Sequence, residues 1–346
     1  MRAWVVEPSE RSTDRLRLVE RPDPVAGPGE VRVRVTACGV CRTDLHLAEG
    51  DLPPKHPQTV PGHEIVGVVD QLGPGSDRFR IGDRIGVAWL RHTCGHCHWC
   101  RRESENLCPH AEFTGWDADG GYAEYALVPQ GYAYRLPENL DDVHAAPLLC
   151  AGIVGYRALR RTGLPPGGRL GIYGFGASAH LVAQVALAQG ARVHVLTRSA
   201  GARQLATQLG ATSVAGAQDA PPEPLDAAIL FAPVGDLVPP ALRALDRGGV
   251  LALAGIHLSD LPPLNYQREL FQEKEIRSVT ANTRADGEEF LNLAVALGIR
   301  ATVTVREMSA AATTLAELSV NAYEGAAVLV PDPVFQEHRA RARGDR

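Results

Sequence analysis

Leu170-Gly171-Ile172-Tyr173-Gly174-Phe175-Gly176-Ala177-Ser178-Ala179-His180 joins an apolar strand to a helix through a glycine turn. The turn reads G-x-G-x-x-A in strand, turn, helix order, where glycines let the backbone approach a pyrophosphate seated at a helix N-terminus. The rhythm continues downstream. A helical stretch from Ala179 to Gln189 closes at Gly190, a strand runs from Val193 to Leu196, and a second helix from Ala202 to Leu209 stops at Gly210. Ala227 to Phe231 and Val250 to Ala254 read as further strands and Glu288 to Leu297 as a helix. Strands alternating with helices of about ten residues predict βαβ units and a doubly wound, Rossmann-type parallel sheet. At the end of its second strand, where an acid would bond an adenosine ribose 2′-hydroxyl, stand Thr197-Arg198-Ser199. An Arg beside two hydroxyls suits a 2′-phosphate, which favours NADP over NAD, although Arg198 also reads as a plain solvated residue.

The chain upstream has a different texture. Val31-Arg32-Val33-Arg34-Val35 alternates strictly, as a half-buried strand does. Glu64 to Val69 and Ile85 to Trp89 continue the pattern, and Ala301 to Val305 returns to it near the end. With 346 residues, more than one ordinary core holds, the chain divides into a mainly β domain of residues 1–150 and 286–346 and a Rossmann domain of residues 151–285. Apolar residues at 45% and charged ones at 22% are those of a soluble globular protein. A net charge of -5 provides no general basic surface, so no nucleic-acid partner is expected. No stretch reaches the ~18 apolar residues that span a bilayer, and the N-terminus Met1 to Glu7 lacks a signal peptide's apolar run. The reading is therefore cytoplasmic with no membrane partner, and in a reducing compartment the seven cysteines are ligands or buried thiols rather than disulfides. The Arg-rich tail from Glu337 to Arg346 reads as a frayed end.

Two groups of residues point to metal. Cys94-Gly95-His96-Cys97-His98-Trp99-Cys100, followed by Cys108, offers four thiolates at spacings that can close on one zinc. A full shell leaves no room for substrate, so this zinc is structural. A nucleic-acid-binding zinc ribbon fits less well, because Arg91, Arg101 and Arg102 are offset by Glu103 and Glu105. The second group spans Gly39-Val40-Cys41-Arg42-Thr43-Asp44-Leu45-His46 to Pro61-Gly62-His63-Glu64. Cys41 and His63 could ligate another zinc with Glu64 behind it, and Asp44 could accept the other ring proton of a ligand His. Taken singly, such residues are more often a buried thiol or a satisfied core group. Cys150 lies where the β-rich half meets the βαβ half, at an expected cleft between domains.

In these motifs and their order, with Leu148-Leu149-Cys150-Ala151-Gly152, the chain resembles the zinc-dependent alcohol dehydrogenases of the medium-chain dehydrogenase/reductase superfamily. Thr197-Arg198-Ser199 and Gly174 to His180 are most similar to its cinnamyl-alcohol-dehydrogenase-like branch. The resemblance implies a GroES-like catalytic domain beside the Rossmann domain, two zinc ions per chain and a homodimer or homotetramer. It implies that Cys41, His63 and Cys150 ligate the catalytic zinc with Glu64 as a nearby or exchanging carboxylate. Thr43 would bond the substrate alcohol, His46 would pass its proton outward, and Arg42 would touch the cofactor pyrophosphate together with Gly174, Gly176, Ala177 and Ser178. Trp89, Leu90 and Leu52 would line the substrate pocket, with Leu52 standing where ethanol-preferring relatives tend to carry Trp, so a primary or bulky alcohol, or the corresponding aldehyde, is implied as substrate. Two departures stand out. Val154 replaces a Thr that often touches the nicotinamide, and Gly325-Ala326-Ala327-Val328 lacks an Arg that often grips the pyrophosphate. A polyol or sugar dehydrogenase of the same superfamily, and a non-catalytic nucleotide-binding sensor on the same fold, are the alternatives.

Overall fold

A computed structural model of the chain describes residues 1–7, 15–333 and 335; the tail from Glu337 to Arg346 lies outside the described residues. The chain forms two units. The first holds Met1–Cys150, Ala281–Leu291 and the described residues from Val303 onward, and the second holds Ala151–Thr280 and Asn292–Thr302. The first unit thus resumes at Ala281 rather than at 286, and residues 292–302 fall in the second. Hydrogen bonds account for this: Thr302 N–H donates to His180 Nε2 at 3.0 Å and Gln184 Nε2 to the Arg300 carbonyl at 2.9 Å, which ties the stretch to the helix after the glycine turn.

In the first unit the strand Glu30–Val40 lies between Ala326–Val330 and Glu64–Leu72 within a seven-stranded sheet. Val31, Val33 and Val35 are fully buried, while Arg32 and Arg34 are half-buried, as period-two alternation requires. The strand outruns the alternating stretch because Ala37, Cys38 and Val40 continue it as a small, buried run. Its antiparallel pairing with Glu64–Leu72 sets Gly39 opposite Glu64. That register brings the residues after Val40 alongside His63 and Glu64. The late strand is Val303–Glu307, two residues beyond the expected one, and pairs in parallel with Ala326–Val330.

In the second unit six parallel strands lie in the spatial order Ser213–Ala215, Arg192–Leu196, Arg169–Tyr173, Leu225–Leu230, Leu245–Leu253, Glu275–Ser278. Numbered along the chain this is 3-2-1-4-5-6, the doubly wound arrangement whose order reverses beside its first strand. Arg169 pins the lower edge by donating to Asp226 at 2.9 Å and to Asp246 at 3.0 Å, so three neighbouring strands share one guanidinium. Among the described residues no helix is long and apolar enough to cross a membrane.

Candidate functional site

The helix Arg42–Glu49 follows directly from the central strand of the first unit. Asp44 turns back to accept the Cys41 N–H at 2.9 Å through Oδ2, the acidic half of a capping box. Its other oxygen, Oδ1, accepts the Gly62 N–H at 3.0 Å and lies 3.3 Å from His63 Nδ1. One carboxylate therefore fastens the helix start to the Pro61-Gly62-His63 segment. Gly50, at φ 89°, closes the helix by donating to the His46 carbonyl at 3.0 Å.

Around this scaffold the donor atoms of Cys41, His63, Glu64 and Cys150 lie within 4.8 Å of one another. Cys150 belongs to the first unit with the other three, so the four residues of the cluster lie within that unit. The turn Ala146–Leu149 carries it there by packing on the strands Glu30–Val40 and Glu64–Leu72. The donor set fits zinc: two sulfurs, an imidazole and a carboxylate. A second observation agrees with it, because His63 is 1% exposed and, while Nδ1 faces the Asp44 carboxylate at 3.3 Å, Nε2 makes no hydrogen bond. A buried imidazole left so is costly, and a metal ion is the partner such nitrogens commonly serve. A hydrogen bond from Cys150 holds the Cys41 thiol well below the ordinary thiol range, and the same contact with burial pushes Cys150 up. Cys41 Sγ is 3.7 Å from Thr43 Oγ1. His46 is half-buried further along the helix, its Nδ1 3.1 Å from Asp51 Oδ2, while the Arg42 guanidinium donates to Asn321 Oδ1 at 2.6 Å. Cys38 is fully buried and lies outside the three groups of possible metal ligands among the described residues, the third being His46, Glu49 and Asp51.

The second cluster is Cys94, Cys97, Cys100 and Cys108. Its sulfur separations are 3.5 Å for Cys97 to Cys100, 3.6 Å for Cys108 to Cys94 and 4.0 Å for Cys94 to Cys100. A tetrahedral zinc with bonds of ~2.3 Å sets its sulfurs about 3.8 Å apart, so these distances fit one ion with no vacant position. Backbone N–H groups of His96 and Cys97 directed at Cys94 lower that thiol to about 6, which favours the thiolate a metal needs.

In the second unit Gly174, at φ 83°, follows the first strand at the point where the sheet order reverses. A Cβ there would come within 2.8 Å of the Ala232 nitrogen, so only glycine fits. Gly176 caps the helix Ala177–Ala188, and the place its side chain would fill is open for at least 4 Å. Such a cradle suits a pyrophosphate, with Ala177 and Ser178 in the first turn. Thr197 is buried at the end of the second strand, and Arg198 is exposed just after it. Ser199 caps the next helix by accepting the Ala202 N–H at 3.2 Å, so one of the two hydroxyls beside Arg198 is engaged.

Near His63 the structure adds residues that sequence reasoning missed. The Trp89 ring meets the His63 imidazole edge-on at 4.8 Å and stacks on Phe113 at 4.9 Å and Trp116 at 6.1 Å, while Lys55 Nζ sits 4.5 Å over Trp116. Phe113 ends the two-residue strand Glu112–Phe113 and Trp116 lies in the turn after it, segments too short for any periodicity to mark them. Their one sequence signal was aromatic residues close behind Cys108. Leu90 is buried in the strand Leu90–His92, and Leu52 is half-buried after the first helix, its N–H donating to the His46 carbonyl at 3.1 Å.

The fold and these two sulfur-rich clusters are those of a zinc-type medium-chain dehydrogenase, and comparison with known proteins agrees. Residues 27–138 match the alcohol dehydrogenase GroES-like domain and residues 179–297 match the zinc-binding dehydrogenase family. The chain belongs to the zinc-dependent alcohol dehydrogenases of the medium-chain dehydrogenase/reductase superfamily, in the branch similar to cinnamyl alcohol dehydrogenases. It is 58% identical over 336 residues to a probable alcohol dehydrogenase, AdhA, of Mycobacterium tuberculosis, covering 95% of this chain and 97% of that one. An alcohol dehydrogenase of Geobacillus stearothermophilus is 37% identical over 318 residues, covering 89% of this chain and 92% of that one. The solved structure of a cinnamyl alcohol dehydrogenase from Sorghum bicolor superposes with a TM-score of 0.87 at 28% identity, covering 95% of this chain and 97% of that one. The activity is that of an alcohol dehydrogenase, with zinc, a nicotinamide cofactor and small-molecule alcohol or aldehyde substrates.

Proposed function

We propose that this chain is an NADP-preferring zinc alcohol dehydrogenase and aldehyde reductase for bulky, aromatic alcohols, with two zinc ions per chain. The observation that carries the reading is the convergence of the donor atoms of Cys41, His63, Glu64 and Cys150 around one point, with the buried His63 Nε2 making no hydrogen bond. Cys41, His63 and Cys150 hold the catalytic zinc, Glu64 stands beside it, and Cys94, Cys97, Cys100 and Cys108 hold a structural one. When bound, zinc lends Lewis acidity that lowers the pKa of an alcohol, and the nicotinamide takes up or returns the hydride. The residues of the chain do the rest. Thr43 Oγ1 orients the substrate hydroxyl and takes its proton into a hydrogen-bonded route, and His46, steadied by Asp51, delivers that proton to solvent. Trp89, backed by Phe113 and Trp116, presents an aromatic face beside His63 on which a flat substrate can stack.

Arg198 supports the NADP preference, because its exposed guanidinium follows the second strand with no acid beside it. Arg42 serves the pyrophosphate. A cytoplasmic setting accords with seven cysteines that form no disulfide, since thiolate sites need reduced sulfur. A homodimer or homotetramer is the assembly its family resemblance implies. The test is a panel of aliphatic, aromatic and polyol substrates with each cofactor, read by absorbance of the reduced nicotinamide. Aromatic substrates with NADP should give the highest kcat/KM, and Arg198→Ala should raise KM for NADP by about tenfold, one lost charge-assisted contact, with little change for NAD. A polyol preference would shift the assignment to that branch of the superfamily, and no turnover with any substrate would favour a sensor.

A further inference from the structure

We propose that Tyr122 is a positioning residue for the catalytic metal centre, its buried phenol holding the Asp44 carboxylate against His63; the inference rests on reading Cys41, His63 and Cys150 as zinc ligands. Tyr122 is fully buried, and its main chain is fixed at both ends, the N–H donating to the Pro61 carbonyl at 3.0 Å and the carbonyl accepting the Trp4 N–H at 2.8 Å. Its ring occupies the space that a side chain at 62 would need. A Cβ on Gly62, at φ 93°, would fall 2.4 Å from Tyr122 Cδ1. The glycine of the Pro61-Gly62-His63-Glu64 motif is therefore required both by its backbone conformation and by this ring.

The phenol donates to Asp44 Oδ2 at 3.3 Å. Asp44 is 2% exposed, and its other donors among the described residues are the backbone N–H groups of Cys41 and Gly62. Tyr122 is thus its one side-chain hydroxyl donor there. A buried carboxylate that loses a donor rotates toward other partners, and that change releases the edge of the imidazole that Asp44 faces. Partners that orient a metal-binding His commonly matter 10–100-fold to metal affinity. Tyr122 stands one step further out and acts through Asp44 and His63. No sequence pattern signals it, because Tyr122 lies far along the chain from both and reads as an ordinary core aromatic.

Zinc release separates this role from a general one. Zinc-loaded wild type is mixed with excess chromogenic chelator and the release followed in time, with the four-cysteine lobe as an internal control. Tyr122→Phe keeps the ring and removes only the hydroxyl. It should speed one release phase by about tenfold and leave the other unchanged. In an Asp44→Asn background the same substitution should change release less than twofold, since its effect passes through the carboxylate. Should Tyr122→Phe fold poorly, Gly62→Ala, which displaces the ring and keeps the phenol, should accelerate the same phase. Unchanged release in Tyr122→Phe, equal acceleration of both phases, or an undiminished effect in the Asp44→Asn background would each overturn the inference while leaving the ligand assignment intact. A wild type that retains zinc only at the four-cysteine lobe would overturn both.

Discussion

In the proposed assignment Cys150 completes the open metal position. It contributes one of two sulfurs in the cluster, and its removal leaves Cys41 and His63 with a carboxylate, a weaker and harder set for zinc. Cys150→Ala should lower kcat on the order of a thousandfold, the equivalent of losing several kcal/mol of Lewis-acid stabilisation. Metal analysis should fall from two zinc ions per chain to one while the circular dichroism spectrum stays unchanged. Full activity in this variant would sink the ligand assignment. Much at this scale could be read in advance. Cys41, His63 and Glu64 stand out because soft and borderline donors crowd one short segment. Cys150 needed the family resemblance, since one cysteine in an apolar run carries no spacing signal. Tyr122 could not be read at all, and Phe113 and Trp116 only as aromatics close behind Cys108, because what they do depends on what they touch.

The elements show the same division. The parallel sheet and its glycine turn were legible from alternating strands and helices, but the helices Ala151–Thr162 and Ala311–Ser319 and the short strands Ser213–Ala215 and Glu275–Ser278 were not. Gly152 and Gly155 weaken the helical signal of the first, and strands of three or four residues are too short for any period to register. Within the helix Ala177–Ala188 a buried group sets a pH dependence. His180 accepts the Thr302 N–H at Nε2, at 3.0 Å, so its proton sits on Nδ1, which faces the Gly176 carbonyl at 3.3 Å. Burial lowers its pKa to about 4. The unfolded chain, with an imidazole near 6.5, binds more protons between those values, so stability rises with pH through this window and is lost as pH falls from about 6.5 toward 4. From pH 7 to pH 5 the loss attributable to His180 is about 2 kcal/mol. Urea midpoints of His180→Gln should therefore fall less over that interval than those of the wild type, whatever the variant's stability at pH 7. Equal slopes would place the acid sensitivity elsewhere.

Across the whole molecule, both candidate zinc clusters lie in the first unit and the nucleotide turn lies in the second. The division into a β-rich part and a βαβ part was visible because hydrophobic periodicity changes along the chain. The assignment of residues 292–302 was not, because it depends on hydrogen bonds to His180 and Gln184 rather than on any change in pattern. Two clusters with different coordination should also respond differently to metal removal. On the proposed assignment the four-cysteine lobe would close on its ion with sulfur alone, whereas the Cys41, His63, Cys150 centre would keep a position for substrate and so offer a chelator a point of attack. Limited chelation should abolish activity when about one zinc per chain has left, with the melting temperature little changed. Removing the second ion should lower that temperature, since the loop from Cys94 to Cys108 then loses the bonds that close it. Cys97→Ala should reproduce this second state directly, with a melting temperature lower on the order of 5–10 °C at a few °C per kcal/mol and one zinc fewer per chain. An unchanged melting temperature in Cys97→Ala would deny the lobe a structural role, and activity that outlasts the first zinc would reverse the order in which the two clusters release metal.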